Sequence, residues 1–225
     1  MKGLRSSLLV LLLAVADGVA AYQADPNKVL RYSFEVAETT FDPQKISDVY
    51  SNIVVDGIFD TPLRYDYLAR PVKLIPNTLA SMPIISADLM TYTLKVKPGI
   101  YFSDDEAFGG RKRELVAADY VYSIKRVMDP RLSSPLLAEV EGIIAGSDEL
   151  LARVRKANRM DFDTPLEGLK ALDRYTFQIK LTRPKYNFIY DLADCRVSCA
   201  VAREVIEKFA EDPGSHPVGT GAYQL

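Results

Sequence analysis

Thr91-Tyr92-Thr93-Leu94-Lys95-Val96-Lys97-Pro98-Gly99-Ile100-Tyr101-Phe102-Ser103-Asp104 alternates through its first seven residues and then turns. Tyr92, Leu94 and Val96 fall on one side, with Thr91, Thr93, Lys95 and Lys97 on the other, the period of a strand with one face on a core. Pro98 fixes its own φ and Gly99 reaches positive φ without steric cost. The pair therefore predicts a turn that brings Tyr101 and Phe102 back along the strand as a hairpin.

Toward the N-terminus, Leu30, Tyr32, Phe34 and Val36 alternate in the same way and predict a strand over 29–36, broken at Phe41-Asp42-Pro43 because proline restricts itself and the residue before it. From Asp48 to Phe59 the apolar Val49, Ile53, Val54 and Ile58 recur at helical spacing, with Gly57 weakening the end. Toward the C-terminus, Ala117 to Met128 reads as a helix with Tyr120, Ile124, Val127 and Met128 on one side, closed by Asp129 and Pro130. That stripe is core rather than a cofactor box. Ser147 is the expected N-cap of a helix running toward Asn158, with Asp148 and Glu149 placed where they suit the helix dipole. Tyr175 to Leu181 is a further strand stopped by Pro184. Short helices at Tyr186 to Leu192 and Ala202 to Phe209 precede a glycine- and proline-rich stretch, Pro213 to Gly221. Strands and helices mix without regular alternation, and no repeat of fixed period is visible. This favours a mixed α/β (α+β) fold over a parallel barrel.

The first residues read as a secretory signal: Lys2 and Arg5, the apolar run Leu8 to Val15, then small residues through Ala21. The run is too short to cross a hydrocarbon core of about 30 Å. Cleavage is expected after Ala20 or Ala21, and no cysteine stands there to carry a lipid anchor. Hydrophobic residues make up 48% and charged residues 26%, ordinary globular composition that excludes a disordered chain. The net charge is −2 and the only basic cluster, Arg111 to Arg113, is short, which argues against nucleic-acid binding. Cys195 and Cys199 are the only thiols. An oxidising compartment would allow them to pair, yet on one helix their spacing sits near the upper end of disulfide reach, so the sequence leaves both states open.

Nothing assembles an enzyme. The chain has no Gly-x-Ser-x-Gly elbow, phosphate loop or dinucleotide fingerprint. His216, the sole histidine, stands in a turn block, and the carboxylates of Asp161 and Asp163 have no site marked around them. The acids Asp104, Asp105 and Glu106 lack EF-hand spacing and read as a solvated loop. No cofactor or metal is expected.

Six blocks, in order, resemble family 5 of the bacterial extracellular solute-binding proteins. They are Val29 to Val36 followed by Phe41-Asp42-Pro43; Asn77 to Pro83, although it lacks the family's tryptophan; Thr91 to Asp104; Ala117-Ala118-Asp119-Tyr120-Val121-Tyr122-Ser123-Ile124-Lys125-Arg126; Lys170 to Phe177; and His216-Pro217-Val218-Gly219-Thr220-Gly221-Ala222-Tyr223. Gly219 and Gly221 suit a chain that must pass tightly against its neighbours. The loop from Ser103 to Arg113 departs from the family's Ser-Asp-Gly turn.

The resemblance implies a type II periplasmic binding protein-like fold. Its expected organisation is a signal peptide over 1–21, a first segment of lobe I over 22–47, an inserted subdomain over 48–170 and a return segment over 171–225. The family pattern continues beyond the Gly-Thr-Gly block, so the second lobe is expected to be absent from this chain. Implied function is that of the periplasmic substrate-binding component of an ABC transporter, a monomer that captures a small peptide or similar polar solute and delivers it to membrane permease subunits. A periplasmic chaperone or a sensor-presenting binding protein is the alternative. In peptide-binding relatives the segment after Asp-Pro lines the cleft, which carries over to Ile46, Ser47, Asp48, Val49 and Tyr50, with Asp48 equally readable as a helix cap.

Overall fold

The computed structural model describes residues 28, 29 and 31–225. In chain order these form α1 (Val49–Ile58), β1 (Leu63–Tyr65), β2 (Leu74–Pro76), β3 (Ile84–Ile85), β4 (Thr91–Lys95), α2 (Ala117–Arg126), α3 (Ser147–Ala157), β5 (Leu169–Ala171), β6 (Thr176–Lys180), α4 (Phe188–Asp191), α5 (Cys195–Ser198) and α6 (Arg203–Lys208). β1 and β2 pair as a small antiparallel ribbon, and the larger sheet has the order β3-β4-β6-β5, antiparallel throughout.

The alternation in β4 decides that sheet. Tyr92 and Leu94 are buried and stand opposite Ile179 and Phe177 of β6, so one face of the pair is continuously apolar. Helix α2 covers it: the ring of Tyr120 stacks on Phe177 with centroids 5.0 Å apart, and its hydroxyl meets that of Thr78 at 2.5 Å. Tyr92 meets Phe188 of α4 edge-on at 4.9 Å.

The turn at Pro98-Gly99 exists, with Gly99 at φ 83°, but the hairpin expected there does not. Ile100 to Phe102 pairs instead with Arg113 to Leu115, through Phe102 N–H to Arg113 C=O at 2.9 Å and Leu115 N–H to Ile100 C=O at 2.8 Å. The reason is competition for edges. β4 is flanked by β3 and β6, and Val96 and Lys97 donate to Tyr175 and Thr78, which leaves no ladder for the returning chain.

Expectations for the first residues fare differently. The signal segment 1–21 and Leu30 lie outside the described residues. Residues 31–36 form no strand, and Val36 is exposed. Alternation marks a face that could be buried without supplying the edge that would bury it. Among the described residues no helix is long and apolar enough to cross a membrane.

Residues 36–225 make one compact unit. The boundary expected at 170/171 runs through β5, whose partner β6 is bonded to β4, so 48–170 and 171–225 share one sheet. At α3 the N-cap is Gly146 at φ 80°. Ser147 occupies the first helical position, and its hydroxyl accepts from Gly142 N–H instead.

A second, smaller core gathers Ile46, Val55, Ile58, Phe59, Tyr122, Cys195, Cys199 and Val201. Asp42 and Arg126 form a bidentate pair inside the protein, at 2.9 and 2.6 Å, and Gln44 Oε1 accepts from the same guanidinium at 2.5 Å. Cys195 and Cys199 are joined by a disulfide with Cα atoms 4.5 Å apart. Cys199 has already left the helix, at ψ 134°, which closes the gap a regular helical turn would leave.

The block around Gly219 and Gly221 locks against the end of α1. Gly221 and Tyr223 donate to Ile58 and Gly57 carbonyls, and a Cβ on Gly219 would stand 2.0 Å from Ile58 O. Replacing Gly219→Ala is therefore expected to destabilise the protein by at least about 2 kcal/mol in urea unfolding, because backbone must move; a loss within error of zero would show that this contact is not tight.

Candidate functional site

The segment Ile46 to Tyr50 is where the chain leaves the Pro43–Lys45 turn and enters α1. Its residues divide cleanly by environment. Ile46 is fully buried in the second core, so its side chain anchors the segment rather than facing a ligand. Ser47 is exposed, and Val49 is 63% exposed. Asp48 is the N-cap: its carboxylate accepts from Ser51 N–H at 2.8 Å, Ser51 Oγ–H at 2.7 Å and Thr39 Oγ1–H at 2.6 Å. Those donors, led by the Ser51 amide, lower its pKa from 3.8 to about 2. Tyr50 is half-buried in the first turn.

Of the Val49, Ile53, Val54 and Ile58 spacing that the sequence suggests, Ile58 is buried and Val54 packs partly against the second core, but the buried stripe of α1 is Ser51, Val55 and Ile58. Val49 and Ile53 form an exposed apolar ridge one helical turn apart. The phase is set from outside the helix, by Ser51 turning inward to Thr39 and Asp48.

Beside this ridge lies a cleft of about 300 Å³ that the sequence reading missed, lined by Asn52 and Asp56 of α1, by Tyr65 and Tyr190, and by Asp194 and Arg196. The two tyrosine rings stack at 6.4 Å, and Asn52 Nδ2 donates to Asp56 at 3.2 Å. Burial, reinforced by the Asp194 carboxylate, raises the Asp56 pKa. No local pattern could have joined these residues, since β1, α1 and α4 meet only in the folded chain; the exposed aromatics in the ribbon and in α4 were the sole signal.

Other residues singled out by the sequence have structural partners. His216 Nε2 lies 2.7 Å from Asp105 Oδ2 and its ring stacks on Phe209 at 3.7 Å. Asp104 pairs with Lys112 and Glu106 with Lys208. Asp161 accepts from Asp163 N–H and the Thr164 hydroxyl, while Asp163 pairs with Arg203 at 2.6 Å. Among the described residues no group of three or more His, Cys, Asp or Glu is placed to hold a metal ion.

The family model for the middle region of bacterial extracellular solute-binding proteins, family 5, matches residues 73–225. The chain belongs to this family. Family 5 relatives include the glutathione-binding protein GsiB of Escherichia coli O6:K15:H31, 27% identical over 221 residues that cover 98% of this chain and 36% of that protein. The periplasmic oligopeptide-binding protein OppA of Salmonella typhimurium is 28% identical over 229 residues, covering 99% and 38%. The chain thus spans about a third of the length of these relatives. Among solved structures, the peptide-binding pheromone receptor PrgZ is 25% identical with a TM-score of 0.65, covering 83% of this chain and 34% of that one. The oligopeptide-binding protein OppAIV of Borrelia burgdorferi superposes with a TM-score of 0.67 at 24% identity, over 83% and 34%. These likenesses establish the mixed α/β, type II periplasmic binding protein fold, in a family of binding proteins rather than enzymes.

The cap has a testable consequence. Asp48→Ala is expected to cost about 1 kcal/mol of stability at neutral pH. Because the folded carboxylate has the lower pKa, its contribution is complete above about pH 4 and is lost as pH falls toward about 2. Urea melts of both proteins across this range should therefore converge at the acid end; a difference independent of pH would contradict the assignment.

Proposed function

We propose that this protein is the substrate-capturing component of an ABC transporter, binding a short peptide or similar polar solute against the segment Ile46 to Tyr50. The observation that carries this reading is the division within that segment: Ile46 and Asp48 fix the backbone, while Ser47 and Val49 stand open beside it. A rigid, exposed stretch of backbone next to an apolar ridge suits an extended ligand held by main-chain hydrogen bonds, with side chains in flanking pockets. The unit formed by residues 36–225 acts as one jaw of a clamp, and closure over the ligand excludes water and strengthens each hydrogen bond. The glutathione- and oligopeptide-binding names of relatives support a peptide-like ligand. On this reading the protein works as a monomer in the periplasm after removal of its signal near Ala20 or Ala21, and it hands its ligand to membrane permease subunits.

Thermal melting of the purified protein with pools of di- to pentapeptides tests this directly, since a ligand specific for the native state stabilises it by about 2.7 kcal/mol at a hundredfold excess over Kd. A saturable rise in Tm is expected, and Val49→Arg, which changes only an exposed side chain, should remove the rise without lowering the ligand-free Tm. No rise with any pool, or a rise untouched by Val49→Arg, would overturn the assignment.

A further inference from the structure

The β1–β2 ribbon ends in a turn over residues 66–73, held by Asp66 N–H to Lys73 C=O at 2.9 Å and Ala69 N–H to Asp66 C=O at 3.1 Å. Its tip is apolar: Tyr67, Leu68 and Val72 are 81%, 74% and 64% exposed. Single exposed apolar residues are ordinary on a protein surface, but three large ones gathered in one turn form a patch that favours association. Tyr65 is not part of it. At the foot of the ribbon that ring stacks on Tyr190 at the cleft beside α1.

The same stretch is basic. Arg64, Arg70 and Lys73 are exposed, and none of them forms an ion pair among the described residues. Arg70 donates to the carbonyls of Tyr67 at 3.1 Å and Ala69 at 2.8 Å, which fixes its place in the turn and leaves its charge unmatched. Asp66 is the one carboxylate between residues 64 and 73, and it accepts from Leu68 N–H at 3.2 Å. Of the acids lining the cleft at the ribbon's foot, Asp191 and Asp194 are paired with Lys185 and Arg196, and Asp56 takes the Asn52 amide. At physiological ionic strength exposed charges more than about 8 Å away are largely screened, so this local excess of cations decides what the tip attracts.

We propose that this tip docks the protein on an anionic lipid surface. Tyr67, Leu68 and Val72 enter the headgroup layer, and Arg64, Arg70 and Lys73 pair with the lipid phosphates. Two physical points favour lipid over a protein partner. The stretch 64–73 falls short of the about 20–30 residues that each side of a stable protein interface contributes. A ribbon turn with its apolar side chains outward is also convex: a protein would need a pocket shaped to it, whereas headgroups part around it. Tyrosine suits such a boundary, with an apolar ring and a hydroxyl that stays wet. None of these residues belongs to Ile46 to Tyr50, and the inference does not rest on the peptide reading of that segment.

Sedimentation of the purified protein with sucrose-loaded vesicles, of phosphatidylcholine alone or mixed equally with phosphatidylglycerol, tests the proposal. Partition onto the anionic vesicles is expected at about 0.1 M salt. It should fall at least about tenfold at about 1 M, where the screening length shortens from about 10 Å to about 3 Å. Phosphatidylcholine alone should bind at least about tenfold more weakly. Lys73→Gln should weaken partition about fivefold, the contribution of one cation near the surface, and Leu68→Ser about tenfold, for the loss of one inserted apolar side chain. Both change exposed side chains and should leave the Tm within error of the parent. Leu172→Ser, at an exposed apolar position off the ribbon, should leave partition unchanged. No partition onto anionic vesicles, as expected if the tip meets a protein instead, would overturn the proposal. So would equal partition onto phosphatidylcholine, or partition indifferent to Lys73→Gln and Leu68→Ser.

Discussion

Asp42 and Arg126 lie 84 residues apart in sequence and meet inside the protein, with side chains 2% and 4% exposed. Taking two such charges out of water costs several kcal/mol for each ion, and only near-ideal geometry recovers it. The geometry here supplies that: two parallel N–H to O bonds, a third from the same guanidinium to Gln44, and a further bond from Gln44 Nε2 to Cys199 C=O. One interaction thereby ties the Pro43–Lys45 turn, the C-terminal end of α2 and the disulfide-closed turn of α5 at a single point.

The candidate site inherits its rigidity from this knot. Once Asp42 and Gln44 are held, and the Ser134 hydroxyl has donated to Gln44 C=O, Ile46 is directed into the second core and Asp48 arrives where it can cap α1. Ser51, locked to Asp48 and Thr39, then sets the rotation of α1. That rotation turns Val49 and Ile53 outward and brings Asn52 and Asp56 to the cleft beside Tyr65 and Tyr190. The exposed apolar ridge is thus a consequence of polar anchoring at the other face of the helix.

What the sequence revealed follows the range over which each signal acts. Alternation in Thr91 to Lys95 and Thr176 to Lys180 is local, and the central strands lie where it put them. Cap chemistry is also local, and Asp48 performs it. The partner of a strand is not local: Pro98-Gly99 turns the chain, but occupied edges send Ile100 to Phe102 toward Arg113 to Leu115. Helix spacing in Val49 to Ile58 fitted two phases, because apolar residues ring α1, and the deciding contact came from a serine. Nothing along the chain joins Tyr65 to Tyr190, so the cleft beside α1 was legible only in three dimensions.

A double-mutant cycle in urea unfolding measures the buried pair of Asp42 and Arg126. Arg126→Met and Asp42→Asn each remove one partner and strand the other; each is expected to cost about 3–5 kcal/mol, with the double variant costing far less than the two losses combined. Single losses below about 1 kcal/mol, or losses that simply add, would mean that the pair does not hold the turn and that α1 is positioned by something else.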